Sequence, residues 1–142
     1  MAALIRDYEG RAAQYFRFEA LEVTSAAGGG GSAPAVRARE ADSLRKRVSA
    51  GLDTWALTRD GTESSSRDLA ETFSDMATYS HPGVAFLMGG AFGLDEGLVR
   101  QCSRRLSLSR MTLPHDMARL VLAEQIYRAG TILRGQPYHK GV

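Results

Sequence analysis

Cysteine is almost absent from this sequence of 142 residues, which contains only Cys102. A single cysteine cannot form an intrachain disulfide, so the sequence indicates a reducing compartment, most simply the cytosol. Long apolar stretches are missing as well, because the apolar run of residues 84–88 is far too short to span a membrane. Residues 1–11 carry charged side chains in place of the apolar core of a signal peptide. We therefore expect a cytosolic protein without a membrane segment.

Several catalytic and metal-binding motifs are also missing. The histidines His81, His115 and His139 have no H-E-x-x-H or paired cysteine–histidine spacing, so we expect no metal site. No G-x-S-x-G motif accompanies the serines, which argues against a hydrolase. The glycines of residues 28–31 lack the adjacent Lys-Ser/Thr of a phosphate loop, and we interpret residues 25–35 as a flexible surface loop.

Acidic residues are scarce in the last third of the chain. Residues 100–142 carry a net charge of +6, with Asp116 and Glu124 as the acidic residues, whereas residues 1–99 carry −4. The overall net charge of +2 therefore conceals a basic end. A basic end is typical of a protein that faces a polyanion.

The apolar pattern alternates between the helical and the strand period along the chain. It predicts helices over residues 3–15, 36–50, 64–80, 95–103 and 115–133, and strands over residues 16–23, 53–58, 84–88 and 106–109. Such alternation predicts an α/β domain with a mainly parallel sheet. A chain of 142 residues that is 44% apolar fits one globular domain with its own core.

Two turns follow predicted strands, where ligands of parallel sheets bind. One turn contains Gly89 and Gly90, and the other covers residues 107–112. Glycines allow backbone amides to approach a ligand closely, but the spacing is not the G-x-G-x-x-G of a dinucleotide site. From the spacing alone, a ligand-binding turn and a merely tight turn are equally good interpretations. The serines of the second turn alternate with leucines, which favours a half-buried strand.

The C-terminal tail, residues 136–142, combines Tyr138 with His139 and Lys140. A stacking ring beside cationic groups suits RNA, although a frayed terminus would explain the same residues. In the preceding helix, Glu124 and Arg128 are four residues apart, and an ordinary helical ion pair accounts for them.

Four ordered blocks of sequence resemble one family. They are FLMGGAFGL (residues 86–94), LSLSRMTLPH (106–115), RLVLAEQIYRA (119–129) and PYHK (137–140). Together they look like the family of ribosomal RNA large subunit methyltransferase H, which belongs to the SPOUT superfamily of knotted methyltransferases. The resemblance implies an α/β fold in which helices flank a SPOUT-type parallel sheet. It also implies a C-terminal trefoil knot and a single methyltransferase domain over residues 1–142.

The resemblance implies a reaction as well. A member of this family would use S-adenosylmethionine to methylate N3 of a pseudouridine in a stem-loop of 23S rRNA, acting as a homodimer on assembled ribosomes. Two alternatives remain open: another SPOUT methyltransferase with a different RNA target, and an RNA-binding module without catalysis. Binding of S-adenosylmethionine would distinguish the enzyme from the binding module.

Site residues are assigned by matching these motifs. The residues expected to contact the cofactor are Leu57, Gly89, Gly90, Leu108, Ser109, Arg110, Met111, Thr112 and Leu113. Candidates for substrate binding are Tyr127, Arg128 and Tyr138, and candidates for catalysis are His115, Arg119, His139 and Lys140. The N3–H of the acceptor must lose a proton, and we expect His115, or His139 with Lys140, to stabilise the resulting anion.

The chain departs from the family pattern at its beginning. Members of the family start with an apolar strand and a glycine-containing turn, whereas this sequence starts inside the first predicted helix. A missing strand would leave unpaired backbone groups in the sheet. Our hypothesis is that the natural start lies upstream, and an in-frame apolar segment there would support it.

Overall fold

The computed structural model describes residues 1–140, with the exception of the side chain of His139. The helices are α1 (Ala2–Ala12), α2 (Ala33–Arg47), α3 (Ser66–Thr78), α4 (Glu96–Gln101) and α5 (His115–Leu133). The strands are β1 (Asp53–Glu63), β2 (Val84–Leu87) and β3 (Arg104–Ser107). Short 3₁₀ turns lie at Ala27–Gly29 and Pro137–His139.

The three strands form one parallel sheet in the order β2-β1-β3. On one side of β1, the register pairs Ala56 with Leu87. On the other side, it pairs Leu57 with Leu106. The predicted α/β class with a parallel sheet is therefore confirmed, and Trp55 and Ala56 of the central strand are buried.

Side-chain caps set the starts of α2 and α3. Ser65 Oγ accepts a hydrogen bond from the backbone N–H of Asp68 at 3.0 Å and starts α3. Ser32 Oγ caps α2 in the same way, so this helix begins at Ala33, inside the segment predicted as a loop. The end of α5 is set by Gly135, whose φ of +65° is the left-handed conformation that terminates many helices.

Residues 16–23 form no strand, so that prediction was wrong. Their apolar–polar alternation fits a strand, but a strand also needs a neighbour that takes up its backbone hydrogen bonds. Instead, the ring of Phe16 packs edge-on against Phe73, with centroids 5.4 Å apart. Most of the other side chains in this segment are exposed.

The first strand is longer than predicted. The predicted strand covers residues 53–58, yet β1 continues to Glu63 with a shift of register against β3 between Leu57 and Thr62. Gly61 permits this continuation, because a Cβ there would lie 2.8 Å from the backbone of Arg105. The glycine thus serves close strand approach rather than a turn.

The residues divide into two compact units. The first consists of Met1–Ala20, Ser64–His81 and the residues from Asp116 onward, and the second consists of Leu21–Glu63 and Pro82–His115. The second unit therefore contains the whole sheet with α2 and α4. The first contains α1, α3 and nearly all of α5.

In the second unit, apolar side chains of α2 and α4 pack on the sheet. Ala41, Leu87 and Leu98 form the centre of this core. Partly buried side chains surround it: Leu44, Val48, Ala85, Leu94 and Cys102. Cys102 is thus a packing residue, in agreement with the simplest interpretation of a lone cysteine.

In the first unit, α1, α3 and α5 provide a separate set of buried side chains. The buried apolar residues are Ile5, Ala12, Leu69, Ala70, Leu122, Ala123, Ile126 and Ala129. A hydrogen bond of 2.5 Å from Ser66 Oγ to Gln125 Oε1 joins α3 to α5. Over residues 1–140, no helix is both long and apolar enough to cross a membrane.

Candidate functional site

The carboxyl ends of the strands bring several predicted cofactor residues together in the second unit. Leu57 lies in β1 beside Leu106 of β3, and its neighbour Ala56 pairs with the last residue of β2. Gly89 follows β2 by two residues, and Leu108 follows β3 directly. By this register, Leu57 lies at the level where β2 and β3 end, and ligands of parallel sheets bind beyond the carboxyl ends of the strands.

The glycine turn after β2 folds back on itself. The N–H of Gly93 donates to the carbonyl oxygen of Gly90 at 3.1 Å. A Cβ on Gly89 would lie 2.5 Å from the carbonyl carbon of Gly93 and 2.7 Å from the nitrogen of Leu94. No other residue fits at Gly89 without moving the backbone, so the turn is tight for a steric reason.

His115 is held against this turn. Its ring nitrogen Nδ1 lies 3.0 Å from the carbonyl oxygen of Gly89. A carbonyl oxygen can only accept, so this contact requires the proton on Nδ1 and leaves Nε2 of the neutral ring as an acceptor. The side chain is exposed, so Nε2 is accessible to a ligand.

The segment after β3 is fixed by side chains of β1. Ser107 Oγ donates to the carbonyl oxygen of Arg59 at 3.0 Å. The guanidinium of Arg59 in turn donates to Thr112 Oγ1 at 2.9 Å. Within the segment, Ser109 Oγ accepts from the N–H of Met111 at 3.0 Å. These bonds hold residues 107–112 as an ordered loop.

The remaining predicted cofactor residues differ in exposure. Leu108 and Leu113 are half-buried, whereas Arg110 is exposed and Met111 is 77% exposed. The half-buried leucines can contact an apolar part of a ligand. The exposed pair presents a cation and a flexible apolar side chain on the surface of the second unit.

Two buried polar atoms of the described residues have no hydrogen-bond partner, and both belong to the second unit. They are Oε1 of Glu40 and Oγ1 of Thr58. Glu40 is 7% exposed, and a Cβ on Gly90 would lie 2.6 Å from its Oε2. Thr58 directly follows Leu57 in β1. Unsatisfied buried polar atoms are rare, and here they accompany residues predicted to bind the cofactor.

The first unit contains an aromatic and ionic cluster that includes the predicted substrate residues. The rings of Tyr127 and Tyr138 pack edge-on with centroids 4.6 Å apart. The guanidinium of Arg128 lies over Tyr138, 5.0 Å from the ring centroid, and donates to Glu124 Oε1 at 2.5 Å. Tyr138 OH donates to the same oxygen of Glu124 at 3.0 Å and lies 3.4 Å from Tyr8 OH. The structure therefore brings Tyr127, Arg128 and Tyr138 together in one cluster.

Two pKa values in this cluster are shifted. The hydrogen bond to Glu124 raises the pKa of Arg128 above its ordinary value. Burial raises the pKa of Tyr138 above that of a free tyrosine, and its bonds to Tyr8 and Glu124 add to the effect. At neutral pH Tyr138 is thus a neutral phenol next to the charged guanidinium of Arg128.

The tail packs on α5 as far as Tyr138. An open depression of about 550 Å³ lies there, lined by Tyr127, Thr131, Gln136, Pro137, Tyr138 and Lys140. Tyr15 OH bonds to the side chain of Gln136, which fixes the start of the tail. Lys140 is exposed at the rim, whereas the side chain of His139 lies outside the described part of the chain.

Arg119, a predicted catalytic residue, forms an ion pair in the first unit. Its Nε donates to Glu9 Oε1 at 2.7 Å, and the two side chains are 21% and 13% exposed. This contact gives Arg119 a structural partner on α1. Sequence patterns gave no indication of Glu9, because its partner is 110 residues away.

No group of three or more potential metal ligands occurs among the residues that the structure describes. Glu40 is the residue at the edge of the sheet that the sequence interpretation missed. A signal for it exists, because Val36, Glu40, Leu44 and Val48 recur every four residues, as on one face of a helix. A charged residue on an otherwise apolar face indicates a buried charge.

Comparison with known proteins matches nearly the whole chain. The family described as "Predicted SPOUT methyltransferase" matches residues 1–139. The chain is 46% identical over 140 residues to ribosomal RNA large subunit methyltransferase H of Gemmatimonas aurantiaca, covering 99% of this chain and 90% of that protein. It is 37% identical over 145 residues to the protein of the same name from Limosilactobacillus fermentum, covering 96% and 88%. The protein of that name from Bacillus cytotoxicus is 42% identical over 105 residues, covering 74% and 66%.

Proposed function

Because the chain belongs to the SPOUT methyltransferases, in the family of ribosomal RNA large subunit methyltransferase H, we propose that it methylates 23S ribosomal RNA with S-adenosylmethionine. Because it belongs to this family, the protein is a methyltransferase. The proposed acceptor is N3 of a pseudouridine in a stem-loop of 23S rRNA, modified on the assembled ribosome in the cytosol. Its relatives of 46% and 37% identity carry a ribosomal RNA methyltransferase name, which supports an RNA substrate.

The observation that carries this proposal is the geometry at the edge of the sheet. Gly89 allows the turn after β2 to close tightly, and His115 binds the carbonyl oxygen of that glycine. The proposed cofactor contacts are Leu57, Gly89 and Gly90 with the six residues 108–113. Their backbone groups, two half-buried leucines and an unpartnered buried carboxylate fit a ligand with apolar, hydroxyl and amino groups.

The bound cofactor supplies an electrophilic methyl group on a sulfonium. The protein's task is to align that methyl group with the acceptor nitrogen, because alignment alone can supply much of the rate. The acceptor N3–H must also be deprotonated. Nε2 of His115 is an accessible acceptor at the glycine turn and is our first candidate to receive this proton.

The residues proposed to hold the RNA lie in the first unit. Tyr127 and Tyr138 offer aromatic rings, and Arg128 and Lys140 offer positive charge beside them. Stacking on rings combined with neutralisation of phosphates is how proteins bind unpaired nucleotides. Arg119 and His139 stay catalytic candidates by resemblance to the family.

We further propose that residues 1–142 form one SPOUT domain with a C-terminal trefoil knot, and that the protein acts as a homodimer. The family match over residues 1–139 covers both compact units, which supports the single domain. Exposed apolar side chains, such as Phe92 at 47% and Met111 at 77%, are available to a second copy. Sedimentation equilibrium would test the dimer, and a monomer at micromolar concentration would exclude a stable one.

Transfer of a labelled methyl group to ribosomes that lack the modification would test the activity. We expect incorporation into 23S rRNA, and mapping of the modified nucleotide would identify the acceptor. Incorporation at another nucleotide would indicate a SPOUT enzyme with a different target. No incorporation, together with no calorimetric binding of S-adenosylmethionine by the folded protein, would contradict the proposal and favour an RNA-binding module.

A further inference from the structure

Glu40 is a buried carboxylate at the glycine turn for which the fold provides no partner. It lies on α2, is 7% exposed, and its Oε1 has no hydrogen-bond donor among the described residues. Burying a carboxylate in this way is costly unless a donor or a cation compensates for the lost water. If Glu40 had only a structural role, its buried carboxylate would therefore destabilise the folded protein.

The position of the carboxylate connects it to the proposed cofactor site. A Cβ on Gly90 would lie 2.6 Å from Oε2 and 3.3 Å from Oε1 of Glu40. Glycine at position 90 thus leaves the space through which the carboxylate reaches the turn. Any larger residue there would cover both oxygens and close that access.

Other acidic side chains on α2 and at this edge of the sheet are occupied or exposed. Asp42, two residues further along α2, forms an ion pair with Arg45 at 3.1 Å and is 71% exposed. Asp95 caps α4 through Leu98 N–H at 3.0 Å. Glu40 differs from both because it is buried and unpaired.

We infer that the carboxylate of Glu40 binds the cofactor by accepting a hydrogen bond from one of its N–H or O–H donors. This inference rests on the proposed function, since it takes S-adenosylmethionine as the ligand. Three groups of that ligand have the required chemistry: the ammonium of the methionine part, the hydroxyls of the ribose and the amino group of the adenine. The sulfonium has neither N–H nor O–H and does not meet this requirement.

The variant Glu40→Gln tests the assignment, because it keeps the shape and removes the charge. Calorimetry on the full chain should show that E40Q binds S-adenosylmethionine at least tenfold more weakly than the wild type, as expected for the loss of a bond to a charged group. The melting temperature without ligand should stay the same or rise, because a buried charge has been removed. Asp42→Asn is the matched control on the same helix and should leave both quantities unchanged.

Two further ligands distinguish the donors. S-adenosylhomocysteine has the adenine, the ribose and the ammonium, whereas 5′-methylthioadenosine has the adenine and the ribose but no ammonium. A loss of affinity with both ligands identifies a donor on the adenosine part, either a ribose hydroxyl or the adenine amino group. A loss confined to S-adenosylhomocysteine identifies the ammonium.

Three outcomes would overturn the assignment, and they are distinguishable. If wild type and E40Q bind all three ligands with equal affinity, Glu40 does not bind the cofactor, whereas the proposed function is unaffected. A lower melting temperature of ligand-free E40Q would show that the carboxylate has a partner within the protein. If the folded wild type binds none of the three ligands, the proposed function fails, and the assignment fails with it.

Discussion

The imidazole Nδ1 of His115 lies 3.0 Å from the carbonyl oxygen of Gly89. This bond joins the first residue of α5 to the glycine turn after β2. It fixes the ring tautomer, and it orders the backbone of a residue proposed to contact the cofactor. Holding the turn and the proposed receipt of a proton use different nitrogens of the histidine, so the two can be separated by mutation.

Replacing His115 with alanine should weaken cofactor binding and slow methylation. Loss of one hydrogen bond of about 1 kcal/mol corresponds to roughly a fivefold higher Kd. His115→Asn keeps a donor near Nδ1 but has no basic nitrogen. We therefore expect H115N to bind S-adenosylmethionine nearly as the wild type does, while its single-turnover methylation rate falls as far as that of H115A. A normal rate in H115N would exclude His115 as the proton acceptor.

Replacing Gly89 with alanine should disrupt the turn. The added Cβ would lie 2.5 Å from the carbonyl carbon of Gly93, so the backbone must move. We expect a loss of about 1–3 kcal/mol in unfolding free energy, as for other overpacked sites, together with loss of cofactor binding. Chemical denaturation and calorimetry would measure the two effects.

Gly10→Ala is the control for this variant. Gly10 lies within α1, and a Cβ there meets nothing within 4 Å. Alanine should stabilise the helix by about 0.5–1 kcal/mol without changing cofactor affinity. Equal behaviour of G89A and G10A would contradict the steric role of Gly89.

The sequence predicted most of the elements, because their signals are local. Caps such as Ser65 and terminators such as Gly135 act within a few residues, and all five predicted helices occur. The predictions that failed depend on contacts between residues far apart in the sequence. Residues 16–23 have a strand pattern without a strand partner, and Gly61 has turn chemistry but serves close approach to β3. Neither a partner nor a close approach can be derived from a short window of sequence.

The candidate site shows the same division. The glycine turn and the segment after β3 could be located from the sequence because both follow predicted strands. The contacts that define their geometry could not be predicted. Arg59 bonds to Thr112, which is 53 positions away in the sequence, and Glu40 approaches Gly90 from helix α2. Such contacts depend on the order of strands in the sheet, which no periodicity specifies.

Replacing Arg119 with alanine should destabilise the protein. Its partner Glu9 is 13% exposed, and a carboxylate left without its donor at such a site costs about 1–3 kcal/mol. In the double variant with Glu9→Gln, the unpaired charge is gone, so part of the stability should return. Denaturation of both single variants and the double variant would give the coupling energy, and strictly additive losses would contradict a direct interaction.

The methylation rate of the same variants would decide whether Arg119 is catalytic. A rate that stays low in the double variant, at a temperature where it is fully folded, would retain Arg119 as a catalytic residue. A rate that recovers together with stability would reduce its role to holding α1 through Glu9.

Replacing Tyr138 with phenylalanine should change the alkaline stability of the protein. Burial raises the pKa of this phenol in the folded state, so above about pH 10 the unfolded chain loses the proton that the folded chain retains. The unfolding free energy contributed by Tyr138 is therefore complete below that pH and decreases as the pH rises further. In Y138F this decrease should be smaller, and the last tyrosine to ionise should disappear from an ultraviolet absorbance titration. Tyr79→Phe is the control, because Tyr79 is 82% exposed. If both variants lose the same step and the same alkaline slope, Tyr138 does not have the raised pKa that its packing requires.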